Sequence, residues 1–267
     1  MRDAIGIFDS GLGGLTVMRK IREKCPTESL IYYGDTARVP YGGKSPDTIL
    51  RYTIESAVFL MEQNIKALVI ACNTAASYSM GRLKNIFNIP IIDVINPGAE
   101  AAVKATKTGR IAVLGTKATI SSGSYQREIA ALLPDAFVLP IACPLFVPLV
   151  EEKFLHHEAT RLVVREYLKA VKQSGIDTVL LGCTHYPVLA PLIQSELGYT
   201  VKIVDSATTC ADRLAELLKA RNMESETTGA CRFFVSDDPE KFQLIGRDFL
   251  GEEISLCEAV RHEFQAV

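Results

Sequence analysis

This sequence is short of the features that most often betray a function. It has no tryptophan, four histidines and no Cys-x-x-Cys pair among 267 residues. Zinc ribbons and thioredoxin-like redox sites therefore lack their spacing. Neither charge is in excess: 29 Lys and Arg face 31 Asp and Glu, a formal net charge of −2. That leaves no basic footprint for nucleic acid or an anionic membrane, although a small anionic ligand needs only local donors. No apolar run approaches the ~18 residues of a spanning helix, and no basic start, apolar stretch and small-residue cleavage site open the chain. The expectation is a cytoplasmic protein with no nucleic-acid partner, no membrane and no metal.

Seven cysteines are present (Cys25, Cys72, Cys143, Cys183, Cys210, Cys231 and Cys257), an odd number and widely scattered. Without an export signal, disulfides are not expected. Each cysteine is by default a small buried hydrophobe. The chain is 48% hydrophobic, enough for one large α/β domain or two compact ones. Short apolar, β-branched runs alternate with stretches of helical period, the pattern of parallel sheets with crossover helices. Strands are predicted near residues 5–8, 30–33, 67–71, 91–94, 110–114, 137–140, 178–181, 202–204 and 232–235. The clearest helices fall at 48–63 and 158–173. Strands apolar throughout imply helices on both faces of each sheet.

The chain echoes itself. Residues 65–74 read IKALVIACNT and residues 176–185 read IDTVLLGCTH; more weakly, IGIFDS at 5–10 matches IAVLGT at 111–116. Two similar α/β domains account for this, the first built from residues 1–96 plus 207–267 and the second from 97–206. The chain would cross at a turn near 96–98 and return near Ser206.

Ligands of open parallel sheets sit beyond the carboxyl ends of the strands. Five polar clusters fall there: Asp9-Ser10, residues 35–43, Cys72-Asn73-Thr74, residues 116–119, and Cys183-Thr184-His185. The turn DSGLGG after Asp9 matches neither the dinucleotide fingerprint nor a phosphate loop, but its backbone N–H groups can meet a carboxylate. Gly13 and Gly14 are explained well enough by a tight turn. In Pro40-Tyr41-Gly42-Gly43 a phenol accompanies free backbone donors. Glu151 and Glu152 follow an apolar run and either begin a solvated helix or set a carboxylate near Cys183.

Cys72 and Cys183 each end a buried strand ahead of polar residues able to start a helix, where a thiol gains thiolate character. Alone, either would read as core; their matched context points to chemistry. Two acid–base groups on opposite sides of one carbon can take a proton from one face and deliver it to the other, inverting a stereocentre. His185, two residues beyond Cys183, can pair with that thiol or contact substrate.

DSGLGGLTV at 9–17, GDTARVPYG at 34–42, ACNTAAS at 71–77 and GCTHYP at 182–187, in this order along nearly the whole chain, resemble the aspartate/glutamate racemase family, and within it the members acting on glutamate. The resemblance implies two racemase-like α/β domains with the active site in the cleft between them, and catalysis without cofactor. It implies that Cys72 takes the α-proton from D-glutamate and Cys183 from L-glutamate, each returning it in the opposite direction. Asp9 would assist Cys72, and His185 with Glu151 would assist Cys183. Substrate contacts would come from Asp9, Ser10, Tyr41, Gly42, Asn73, Thr74, Thr184 and His185. It further implies a homodimer and D-glutamate for bacterial peptidoglycan, cell-wall biogenesis and cell shape.

Three other readings compete. Aspartate racemase, or another two-cysteine racemase, would share the scaffold. A cysteine hydrolase using Cys183 and His185 gives Cys72 no role, and an amino-acid binding protein leaves both thiols surplus.

Overall fold

The computed structural model describes residues 3–226 and 229–260. From the start of the chain run β1 (Ala4–Asp9), α1 (Leu15–Lys24), β2 (Ser29–Gly34), α2 (Pro46–Glu62), β3 (Ile65–Ile70), α3 (Asn73–Ile86), β4 (Ile91–Asp93) and α4 (Ile95–Ala105). There follow β5 (Arg110–Gly115), α5 (Lys117–Ser122), α6 (Ser124–Leu132), β6 (Phe137–Ala142), α7 (Phe146–Glu151) and α8 (Glu158–Gln173). The remainder is β7 (Thr178–Gly182), α9 (Ala190–Leu197), β8 (Lys202–Asp205), α10 (Ser206–Ala220), β9 (Cys231–Val235), α11 (Pro239–Leu250) and β10 (Glu258–Ala259).

These strands form two parallel sheets, ordered β10-β9-β2-β1-β3-β4 and β6-β5-β7-β8. The second sheet repeats the order of the four strands β2-β1-β3-β4 in the first, so the sequence echo has a topological counterpart. Strand β1 is central to the first sheet and β5 to the second, each flanked by the strand that leads to a cysteine. Ile5, Ile7 and Phe8 of β1, and Ile111 through Leu114 of β5, are completely buried. Their unbroken apolar runs follow from helices packing on both faces. Strand β6 is only half-buried. It lies at an edge, where Pro140, which lacks an N–H, costs the sheet least.

The crossing between sheets differs from the sequence reading. Residues 96–98 are not a turn; they lie in the first turn of α4. Asp93 Oδ1 accepts from the N–H groups of Ile95 (2.7 Å) and Asn96 (2.9 Å), which starts a helix at once. Pro97 sits where its missing N–H is not needed. The return runs through α10, opened by Asp205, whose Oδ1 accepts from Ala207 N at 2.9 Å. An ion pair between Arg213 and Glu100 joins this helix to α4. Among the described residues, no helix is long and apolar enough to cross a membrane. His156 and His157 are exposed; His262 lies outside the described residues.

Candidate active site

The chemistry-bearing residues gather where the carboxyl ends of the two sheets meet. A cavity of about 480 Å³ is lined by Ser10, by Tyr41 and Gly42, by Cys72, Asn73 and Thr74, by Glu151, and by Cys183, Thr184 and His185. Of the residues given a catalytic or substrate-binding role in the sequence reading, Asp9 alone is not on the wall; it is completely buried at the tip of β1.

Cys72 and Cys183 follow β3 and β7, strands occupying corresponding places in their sheets, and each is 6% exposed. Cys72 is the N-cap of α3, and its Sγ accepts from Ala75 N at 3.4 Å. Its thiol also donates to Ser10 Oγ at 3.4 Å. The thiolate character expected from a helix N-terminus is not what the site gives Cys72. Burial, reinforced by the Asp9 carboxylate, pushes this thiol up to about 12, against the weaker opposing pull of Ser10 and the Ala75 N–H. Desolvation of a charge outweighs one capping bond. After Cys183 the chain makes a short 3₁₀ turn over Tyr186–Leu189 before α9 begins, so the two thiols share a strand end but not a helix cap.

Asp9 Oδ2 accepts from Gly11 N at 2.9 Å, while Oδ1 has no partner among the described residues. Burial raises the Asp9 carboxyl, and the charge of His185 with the N–H groups of Gly11 and Gly14 moderates the rise. Gly13 and Gly14 do more than allow a turn. A Cβ on Gly13 would come within 2.3 Å of Thr184 Oγ1 and 2.4 Å of His185 Nδ1, and one on Gly14 within 2.4 Å of Asp9 Cβ. The turn of the first sheet is pressed against the loop after β7 of the second, and glycine is what fits between them.

On the Cys183 side, His185 Nδ1 lies 3.9 Å from Cys183 Sγ and Nε2 lies 2.9 Å from Glu151 Oε1. The two readings of Glu151 resolve in favour of the carboxylate, because α7 carries it to the imidazole. Burial alone lowers the His185 imidazolium, but its bonds to Cys183 and Glu151 prevail and hold it at about 10. The ring also meets Phe249 of α11 edge-on, with centroids 5.4 Å apart.

Polar groups ring the remaining wall. Asn73 Oδ1 accepts from Tyr125 Oη at 2.6 Å, and its buried Nδ2 has no partner among the described residues. Thr74 Oγ1 stands 2.8 Å from Thr116 Oγ1 and 3.1 Å from Thr119 Oγ1, and the latter two are 3.0 Å apart. This triangle ties α3 to α5. The cluster at 116–119 was visible in the sequence, but its union with Thr74 was not. Thr16 was also missed: its hydroxyl lies 2.8 Å from Gly13 O and 3.0 Å from Thr184 O, stitching α1 to the loop after β7. Tyr41 is placed on the wall, but its phenol is not free. It donates to Asp35, a completely buried carboxylate that also accepts from Arg38 Nε at 2.7 Å and Ser236 Oγ at 2.9 Å. Gly42 backs onto Thr116, where an added Cβ would lie 2.8 Å from Thr116 Cβ.

Among the described residues, no group of three or more His, Cys, Asp or Glu is arranged to hold a metal ion. The residues present offer two thiols with separate proton partners, hydroxyl and amide donors, and seclusion from solvent. That set suits proton transfer at a carbon beside a carboxylate.

Comparison with known proteins gives the same direction. A family model described as Asp/Glu/Hydantoin racemase matches residues 5–214. A glutamate racemase of Geobacter metallireducens is 47% identical over 253 residues, covering 94% of each chain. The structure superposes on a glutamate racemase isoform of Bacillus anthracis with a TM-score of 0.94 at 38% identity, covering 97% of both chains. It superposes on the Francisella tularensis glutamate racemase, solved with D-glutamate, with a TM-score of 0.91 at 36% identity, again over 97% of each.

Proposed function

The chain belongs to the Asp/Glu/Hydantoin racemase family, and from that membership we propose that it interconverts L- and D-glutamate by proton transfer between Cys72 and Cys183, without a cofactor. It is an amino-acid racemase, and glutamate is favoured over aspartate by the near full-length similarity to glutamate racemases. One observation carries the two-thiol reading: two cysteines at corresponding strand ends line a single cavity, each with its own proton partner.

In the L-to-D direction Cys183 takes the α-proton and Cys72 delivers one to the opposite face; the reverse direction exchanges the roles. The Cys72 thiol, pushed up to about 12, keeps its proton at neutral pH and so stands ready as the acid of the L-to-D direction. His185 moves protons to and from Cys183, and Glu151 holds the imidazole in line. Asp9, with Ser10, serves the Cys72 side. An α-proton beside a carboxylate is hard to remove because the carbanion adds charge next to charge. Donors aimed at the substrate carboxylates offset this where water is excluded. Ser10, Asn73, Thr74 and Thr184, with the Tyr41–Gly42 backbone, supply such donors. Residues 1–96 plus 207–267 and residues 97–206 form the two lobes, with the cleft between them as the site. The enzyme works in the cytoplasm as a homodimer, apart from membrane and nucleic acid. Its D-glutamate enters peptidoglycan, and so serves cell-wall biogenesis and cell shape.

The test is incubation with L-glutamate in heavy water, with no cofactor added, following optical rotation and α-deuterium together. Rotation should decay to zero as solvent deuterium enters the α-position. Cys72→Ala and Cys183→Ala should each lose racemisation by about 10²–10⁴-fold, the usual range for a positioned acid or base; full activity in either variant ends the two-thiol reading. L-aspartate run in parallel tests the substrate.

A further inference from the structure

The cavity wall carries one lysine whose charge no neighbour cancels. Lys117, the first residue of α5, is the only Lys or Arg among the lining residues. It is exposed and makes no ion pair with a described residue. His185, the other group able to carry positive charge there, is bonded to Glu151. Nearby Arg38 is committed to Asp35 and Glu55. The one other exposed charge on the wall is Glu152, at the end of α7, and it makes no ion pair with Lys117.

We propose that Lys117 is a specificity-determining residue: its charge selects, among the amino acids that can enter, those with a free second carboxylate. This rests on reading the cavity as an amino-acid racemase site. Both thiols are nearly buried, so the reacting α-carbon has to be deep, while Lys117 marks the rim beside Thr116 and its close neighbour Gly42. A side chain reaching from the thiols toward that rim brings its terminal group to α5. The hydroxyls of Thr74 and Thr116 on that wall both donate and accept, so they tolerate a terminal amide as readily as a carboxylate. An ammonium only donates and carries charge, which supplies the discrimination the hydroxyls lack. Being exposed, it acts through a screened interaction, modest in size and sensitive to salt.

The experiment measures KM and kcat for both glutamate enantiomers, and competitive inhibition by L-glutamine, in the wild-type chain, Lys117→Gln, Lys117→Glu and Lys117→Arg. Lys117→Gln should raise KM for glutamate about three- to fivefold in both directions, with kcat changed by less than about twofold. Lys117→Glu should raise KM further, and Lys117→Arg should restore it. Inhibition by glutamine, whose side chain carries no charge, should be the same in wild type and Lys117→Gln. The difference in KM should shrink at about 0.3 M salt. Unchanged KM in both Lys117→Gln and Lys117→Glu overturns the assignment, as does an equal weakening of glutamine, which would mean lost packing rather than lost charge. If the wild-type chain racemises nothing, the functional reading fails separately. Calorimetric binding of glutamate against glutamine to the same variants then decides the role of Lys117.

Discussion

Glu151 Oε1 accepts a hydrogen bond from His185 Nε2 at 2.9 Å, while the opposite nitrogen of the same ring stands 3.9 Å from Cys183 Sγ. Carboxylate, imidazole and thiol thus form a line on one side of the cavity. On the other side Cys72 donates to Ser10 Oγ, accepts from Ala75 N and lies beside the buried Asp9 carboxyl. Two sheets of matching strand order present the same sulfur atom with different neighbours behind it.

Glu151→Gln tests that line. With the carboxylate gone, burial gains on the remaining contacts and the His185 imidazolium falls from about 10. The alkaline limb of the pH profile should move to lower pH, and kcat/KM should fall about tenfold. The fall is equal in both directions, because the equilibrium constant between enantiomers is one. A pH profile that does not move would remove Glu151 from the proton path.

The same histidine makes a stability prediction. Its folded value of about 10 lies above its ordinary 6.5, so the folded chain holds the proton more tightly. The resulting stabilisation is complete below about pH 6.5 and is lost as pH rises through about 10. Thermal melts across that window should show a decline in Tm in the wild type that is smaller in His185→Gln.

Asp9→Asn should lower the Cys72 thiol from about 12, since the neighbouring carboxylate is one of the groups holding it up. Thiolate ultraviolet absorbance in a Cys183→Ala background, taken as the difference from the same protein carrying Cys72→Ala as well, reads this. Racemisation by Asp9→Asn with both cysteines intact should drop about tenfold or more if the carboxyl handles a proton.

Gly13→Ala is expected to be worse than its size suggests. The new methyl would occupy space within 2.5 Å of Thr184 and His185 atoms, and the displaced atoms belong to the loop after β7. Activity should fall more than about tenfold while the far-ultraviolet spectrum is kept, since a displacement near 1 Å is enough to cost that much.

Tyr41→Phe removes one bond from Asp35 but leaves those from Arg38 and Ser236. The loss in stability should be about 1 kcal/mol, the net worth of one hydrogen bond. KM should rise a few-fold as the Tyr41–Gly42 wall loosens, with kcat less affected; stability and kinetics measured on one preparation separate the two effects.

Sheet architecture was legible because it depends on local pattern: residues 5–8, 67–71, 111–114 and 179–181 are unbroken apolar runs, and α8 has the predicted bounds of 158–173. The two thiols were legible because each sits in the same short context of strand, small residue, cysteine and polar pair. Several of the failures turn on contacts that no local pattern announces. Nothing near Tyr41 announces that Asp35 takes its hydroxyl, and Gly13 reads as a turn residue until Thr184 and His185 are placed against it. The turn expected at 96–98 failed for a local reason: the Asp93 cap outweighed the signals of Asn, Pro and Gly. The thiolate character expected at Cys72 rests on its helix position alone and does not allow for burial.

The Thr74–Thr116–Thr119 triangle has a consequence for symmetry. Three hydroxyls within bonding distance of one another hold three protons for three contacts, and the circle can run in either sense. Reversing it moves only hydrogens, so no backbone shift or rotamer change is required. A catalyst of both mirror images must greet left- and right-handed ligands with one set of heavy atoms. Donors of fixed direction, such as backbone N–H groups, suit one hand better than the other; a ring of rotors has no hand until a guest chooses it.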